Sequence, residues 1–286
     1  MRNEKIKILT FFIIIMALST AILCFVVSKK NKINASGNPS KVEIATVNQN
    51  SITESLATEK DVNIEKVIVN YEEIKIPIFM YHYIRELNDP NDKIGTNLSI
   101  SPEKFAGQLD LIKAKGYTTI TFKDIADGNI PDKPVILTFD DGYEDFYTNA
   151  YPELRKRGMK AVSYIITGNI KKDGYMSAEE INKISNDGVE IGSHTVSHPD
   201  MSKVTTARAE MEARESKRIL GEITERPIIS LCYPSGKYNS ETEKIIKDYG
   251  YSYAVTTNSG ITSFTNPFAL NRYRLNHDTN ISGYLK

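Results

Sequence analysis

Two adjacent carboxylates, Asp140 and Asp141, stand in the run Thr138-Phe139-Asp140-Asp141-Gly142, directly after an apolar, β-branched stretch. Side by side they repel one another unless a cation or hydrogen bonds compensate. One can bind a metal while the other stays free to take a proton. Taken alone, the same letters also describe an Asp-Gly turn after a strand. The second cluster is His194-Thr195-Val196-Ser197-His198, which holds two of the chain's four histidines. A spacing of four predicts both rings on one side of a helical turn, able to chelate one metal. Two polar histidines without a role would read the same way. Together, Asp141, His194 and His198 form a two-histidine, one-carboxylate set. Three protein ligands leave a position open, which suits a catalytic divalent metal, zinc first among them. Such an ion polarises a carbonyl and lowers the pKa of a water. Asp140 beside it is the expected general base.

These side chains need elements that hold them at one place. The runs Ile76–Tyr81, Tyr117–Phe122, Val135–Phe139, Ala161–Thr167, Val189–Ser193, Ile228–Tyr233 and Tyr251–Thr256 read as strands. Helical spacing predicts helices over Pro102–Lys115, Ser177–Gly188, Ser202–Gly221 and Thr242–Gly250, between those strands. This alternation predicts an α/β fold, a distorted (β/α) barrel of about seven to eight mostly parallel strands. In such a barrel the chemistry sits where strands end and loops begin. Both clusters fall at predicted strand ends.

The order and spacing of the two motifs resemble a polysaccharide deacetylase, a NodB-type carbohydrate esterase of family 4, from about Lys133 to the C-terminus. The resemblance implies Asp140 as the base and Asp141, His194 and His198 as ligands of a divalent metal, zinc. Cys232-Tyr233-Pro234-Ser235-Gly236 falls where the family's third motif, often R-x-P-[YF], should be. Carried over, the Tyr233 backbone N–H would stabilise an oxyanion. Cys232 replaces the arginine that in much of the family orients the base. Arg272 or Arg274 is the candidate substitute, against a reading of either as a structural ion pair. Cys232 itself is expected to be a buried strand residue, not a nucleophile. The chain has no Trp, so the family's tryptophan-containing motif is altered.

Two histidines compete for the role of general acid. Leu275-Asn276-His277 fits the family's last motif, L-x-H. Met80-Tyr81-His82 resembles the stretch that precedes the catalytic region in the branch acting on poly-N-acetylglucosamine, where the acid comes from the N-terminal side. His82 is favoured, because a strand end holds an acid better than the turn-forming run around His277. The implied activity is hydrolysis of N-acetyl groups from an N-acetylglucosamine-containing polymer, peptidoglycan or poly-N-acetylglucosamine, with release of acetate. The rival is a catalytically impaired carbohydrate-binding protein on the same scaffold. The lost arginine favours the rival; the intact Asp140, Asp141, His194 and His198 speak against it.

The 286 residues carry 36 basic and 36 acidic side chains, so no electrostatic footprint for nucleic acid exists. Ile8 to Val27 is an uncharged run of bilayer-spanning length, preceded by Arg2, Lys5 and Lys7 and followed by Lys29, Lys30 and Lys32. It predicts a signal anchor over residues 1–28, a polar extracytoplasmic linker over 29–71 and one catalytic domain over 72–286. The expected location is a single-pass cell-membrane protein with the domain outside; the alternative is secretion after signal cleavage. Cys24 lies in the apolar run and Cys232 far along the chain, so no disulfide is expected.

Overall fold

The computed structural model describes residues 75–286; the Ile8–Val27 run and the 29–71 linker lie outside them. Among the described residues no helix is long and apolar enough to cross a membrane. The strands, in chain order, are β1 (Lys75–Ile76), β2 (Ile78–Tyr81), β3 (Tyr83–Ile84), β4 (Ser99–Ile100), β5 (Thr118–Ile120), β6 (Pro134–Phe139), β7 (Val162–Ile165), β8 (Glu190–Ser193), β9 (Ser230–Cys232), β10 (Tyr253–Val255), β11 (Thr262–Ser263) and β12 (Tyr273–Arg274). The main sheet runs β10-β9-β8-β7-β6-β2-β12, with β5 paired to the first half of β6. Every pairing in it is parallel. It is the curled barrel-like sheet that the alternation predicts.

The strand period of two places the chemistry. In β6, Val135, Leu137 and Phe139 are buried in the cluster that also holds Phe105, Leu109 and Leu220 of the covering helices. Ile136 faces the other way, into the cluster with Val162, Tyr164, Cys232 and Val255. Thr138 and Asp140 keep the parity of Ile136, so both point into the barrel. A strand apolar on both faces is what a parallel sheet under helices requires.

Closure depends on a segment without a sequence signal of its own. Leu270 exchanges hydrogen bonds with β10 (its N–H to the Ala254 carbonyl, 2.9 Å; the Thr256 N–H to its carbonyl, 2.9 Å), and three residues later β12 pairs with β2. One short stretch thus bridges the two ends of the sheet, and Arg272 lies in the middle of it. The helices are capped as their sequences suggest. Ser177 and Glu180 form a reciprocal box at the start of the Ala178–Asn186 helix. One expectation needs correction: the strand predicted over Tyr117–Phe122 stops at Ile120. Thr121 and Asp124 form another box there, and Phe122 opens the Phe122–Ala126 helix.

Candidate active site at the mouth of the barrel

The chain arrives at Asp140 along β6, and the Asp140 N–H continues the ladder to the Tyr81 carbonyl at 3.0 Å. Both carboxylate oxygens are then taken by Arg272: Nη1 donates to Oδ1 at 2.7 Å and Nη2 to Oδ2 at 2.8 Å. Arg272 is fully buried, and its remaining donors reach the Thr256 carbonyl and Thr138 Oγ1. Burial alone would raise the Asp140 pKa. The Arg272 charge and its paired hydrogen bonds overcome that and hold the carboxyl well below the usual carboxylate range. Of the two arginines weighed as substitutes, Arg272 therefore pairs with Asp140, whereas Arg274 is exposed. Cys232 is buried, with Sγ 3.1 Å from Arg272 Nη2 and 3.5 Å from Asp140 Oδ2. A thiol there leaves room for an arginine from the closing segment to enter from another strand.

Asp141 and Gly142 both turn into left-handed backbone (φ 73° and 79°), which swings the second carboxylate away from the first. Asp141 Oδ1 lies 3.3 Å from His194 Nε2 and 3.7 Å from His198 Nε2. Two ligands each about 2.1 Å from a tetrahedral centre stand roughly 3.4 Å apart, so these spacings fit one divalent cation. His194 Nδ1 is 2.7 Å from the Cys232 carbonyl, a partner that puts the proton on Nδ1 and leaves Nε2 free to ligate. Asp140, His194 and Cys232 also lie close together. That second group is a poor host, since both Asp140 oxygens and His194 Nδ1 are already engaged.

The predicted helical turn between the two histidines is not formed. Residues 194–199 are loop, with Thr195 (φ 65°) and His198 (φ 56°) in left-handed backbone. The rings nevertheless meet edge to face, centroids 4.7 Å apart. The loop does what the helix was expected to do.

The two candidate acids differ in setting. His82 follows β2 directly, and its Nδ1 is buried without a hydrogen-bond partner. Burial lowers its pKa, and the negative charges of Asp140 and Asp141 oppose the shift, so it lies in the field of both carboxylates. His277 is half exposed, with Nε2 2.9 Å from Asp278 Oδ2, and its backbone N–H donates to the Asn97 carbonyl. The Tyr233 expectation is corrected outright. Its N–H donates to the Val255 carbonyl at 3.1 Å as part of the ladder to β10, so it is not available to an oxyanion. In the turn that follows, Pro234 has no N–H, and Gly236 and Lys237 donate back to the Tyr233 and Pro234 carbonyls. Ser235 (φ 52°) is the residue of that turn whose amide those bonds leave over.

The family model described as polysaccharide deacetylase matches residues 127–254. YxkH of Bacillus subtilis (strain 168), which carries a polysaccharide deacetylase name, is 32% identical over 207 residues, 70% of this chain and 71% of the relative. The chain belongs to the polysaccharide deacetylases. It is accordingly a hydrolase. A poly-beta-1,6-N-acetyl-D-glucosamine N-deacetylase of Staphylococcus aureus is 27% identical over 225 residues, 67% of this chain and 77% of that one. Among solved structures, the Streptococcus pyogenes deacetylase PplD in complex with acetate superposes with a TM-score of 0.69 at 33% identity, covering 74% of this chain and 97% of that one.

Beside the mouth of the deacetylase runs a ladder of aromatic side chains that sequence reasoning did not single out. The Tyr83 and Tyr143 rings stack 3.9 Å apart, Tyr175 leans on Tyr143 at 5.1 Å, and the Arg85 guanidinium caps Tyr83 at 3.6 Å. Tyr83 adjoins His82 and Tyr143 follows Asp141 by two residues, so the ladder flanks both. Only the adjacency of Tyr83 to a candidate acid hinted at it.

Proposed function

We propose that this deacetylase removes N-acetyl groups, as acetate, from an N-acetylglucosamine-containing polysaccharide, with zinc as its divalent cation. One observation carries the reading. Three side chains spaced for one cation stand next to a second carboxylate, Asp140, that Arg272 keeps ionised and apart from them. A carbohydrate-binding module needs no such spare buried carboxylate, so catalysis is favoured over an impaired binder.

Asp141, His194 and His198 would hold the ion. When bound, the cation supplies Lewis acidity at the acetyl carbonyl and acidifies the attacking water. Asp140 takes the proton from that water. The paired hydrogen bonds from Arg272 keep it ionised and able to accept that proton. Arg272 holds Asp140 in one orientation. The Ser235 amide takes the oxyanion role that Tyr233 cannot fill. His82 delivers a proton to the leaving amine. The names of the Staphylococcus aureus relative and of the acetate complex support the substrate class and the product.

An acetate-release panel over poly-β-1,6-N-acetylglucosamine, peptidoglycan and chitooligosaccharides tests this. The expected result is release from one of them, abolished by a chelator and restored by zinc. Binding to a glycan with no acetate from any substrate turns the reading to the impaired binder. We further propose that the domain works outside the cell membrane, tethered by the Ile8–Val27 segment.

A further inference from the structure

Glu212, on the Thr206–Thr224 helix, is a carboxylate with no exposure at all. Burying a carboxylate is expensive unless donors converge on it. Here they come from the loop between the two candidate metal-binding histidines. Oε2 accepts the Val196 N–H at 2.7 Å and the Ser197 N–H at 3.0 Å, and Oε1 accepts the Ser197 hydroxyl at 2.6 Å. Arg208, one turn back on the same helix, reaches Oε1 at 2.7 Å and Ser197 Oγ at 2.9 Å. The other side of the loop is equally engaged. Thr167 and Gly168 donate to the Thr195 and Val196 carbonyls. A Cβ on Gly168 would lie 2.5 Å from the Val196 oxygen.

This clamp has a backbone to restrain. Thr195 and His198 are in left-handed conformation, which a β-branched residue adopts only when its surroundings over-determine it. His198 is also the more solvent-exposed of the two histidines, at 34% against 2% for His194. His194 is held by its strand and by the Cys232 carbonyl, whereas among the described residues the His198 ring meets only the Asp141 carboxylate, at 3.7 Å, and the edge-to-face His194 ring. The position of His198 follows the loop, which Glu212 holds from one side and Thr167 and Gly168 from the other.

We propose that Glu212 is a positioning residue for His198: it sets zinc affinity by locking the 195–198 loop, without touching the ion. The inference rests on Asp141, His194 and His198 being the zinc ligands. Glu212→Gln presents one acceptor where the loop and Arg208 bring several donors, so at least one loop donor loses its partner. Glu212 bonds the loop and not a ligand side chain, so the expected loss is at the lower end of the range for outer partners, about tenfold.

The test is zinc affinity of the full chain, measured by competition with a chromophoric chelator, in a double-mutant cycle. Glu212→Gln should weaken zinc by about tenfold in the otherwise native chain and by less than twofold in a His198→Ala background. Ser197→Ala, a milder cut in the same clamp, should weaken zinc a fewfold, and it decides the matter if Glu212→Gln does not fold. Native zinc affinity in Ser197→Ala and Glu212→Gln overturns the inference while leaving the ligand set standing. So does a loss that simply adds to that of His198→Ala, the signature of general destabilisation. A native chain that binds no zinc overturns the ligand assignment itself, and the clamp with it.

Discussion

Two neighbouring carboxylates have opposite surroundings. Asp140 gives both oxygens to a buried guanidinium, and Asp141 gives one to two imidazoles. Isosteric changes should therefore separate them. Asp140→Asn is expected to keep zinc and to lose at least about a hundredfold in acetate release, the usual scale for a general base. Asp141→Asn is expected to lose zinc first and activity with it. Zinc content by atomic absorption, alongside rate, distinguishes the pair; loss of metal from Asp140→Asn would show the roles to be reversed. The acid is tested the same way. His82→Ala should retain metal and lose most of the rate, while His277→Ala stays within a fewfold of the native enzyme. Burial lowers the His82 pKa, so its protonated form is lost as pH rises through a value below the ordinary 6.5. The native kcat/KM should accordingly fall along an alkaline limb that lies below the ordinary imidazole range, and His82→Ala should erase that limb. At this scale the sequence carried the identities of the charged groups but not their partners. Arg272 and Arg274 looked equivalent as letters, because burial is decided by a segment that closes the barrel. Tyr233 was read from motif position alone, and which amide a ladder consumes is invisible without the neighbouring strand.

At the scale of elements, long apolar runs were legible and loops were not. Val135–Phe139 announces a doubly covered strand by composition, and Ser177 with Glu180 announces a helix start. By contrast, a four-residue histidine spacing reads as helical wherever it occurs. Only the contacts of Glu212, Thr167 and Gly168 with the backbone show why the 194–198 segment is a clamped loop. β12 is two residues long, too short for any periodicity. The strand that leads into His194 offers a test of how tightly these elements pack. A Cβ on Gly192 in β8 would lie 2.4 Å from the Tyr164 ring and 2.9 Å from Ser230 Oγ. Tyr164 is fully buried and has no room to retreat. Gly192→Ala should thus destabilise the domain by about 1–3 kcal/mol, the usual range for overpacking a core. A thermal melt reads this as a lower midpoint; an unchanged melt would mean that the barrel interior yields more than close packing allows.

For the whole molecule, the question is how a chain with no net charge stays near its polymer. With 36 basic and 36 acidic residues, the chain has no net charge to draw it to an anionic membrane or an anionic wall polymer. The proposed retention at the cell surface would then rest on covalent continuity with an apolar segment. The uncharged Ile8–Val27 run is the one stretch of the sequence with the length to cross a bilayer as a helix. If it stays attached, the full-length protein should sediment with membranes, resist extraction by high salt and by alkali, and be released by detergent. Its N-terminus should still be residue 1 or 2 by mass spectrometry. Salt-resistant attachment is the discriminating observation, because a peripheral electrostatic contact weakens as ionic strength rises. A soluble product beginning between about residues 30 and 45, at the polar stretch after the apolar run, would instead identify a cleaved signal and a secreted enzyme. The two outcomes also differ in substrate reach. A tethered enzyme modifies chains as they emerge at its own membrane, whereas a released one should deacetylate purified polymer added to culture supernatant, so assaying the two fractions for acetate release links the location to the chemistry.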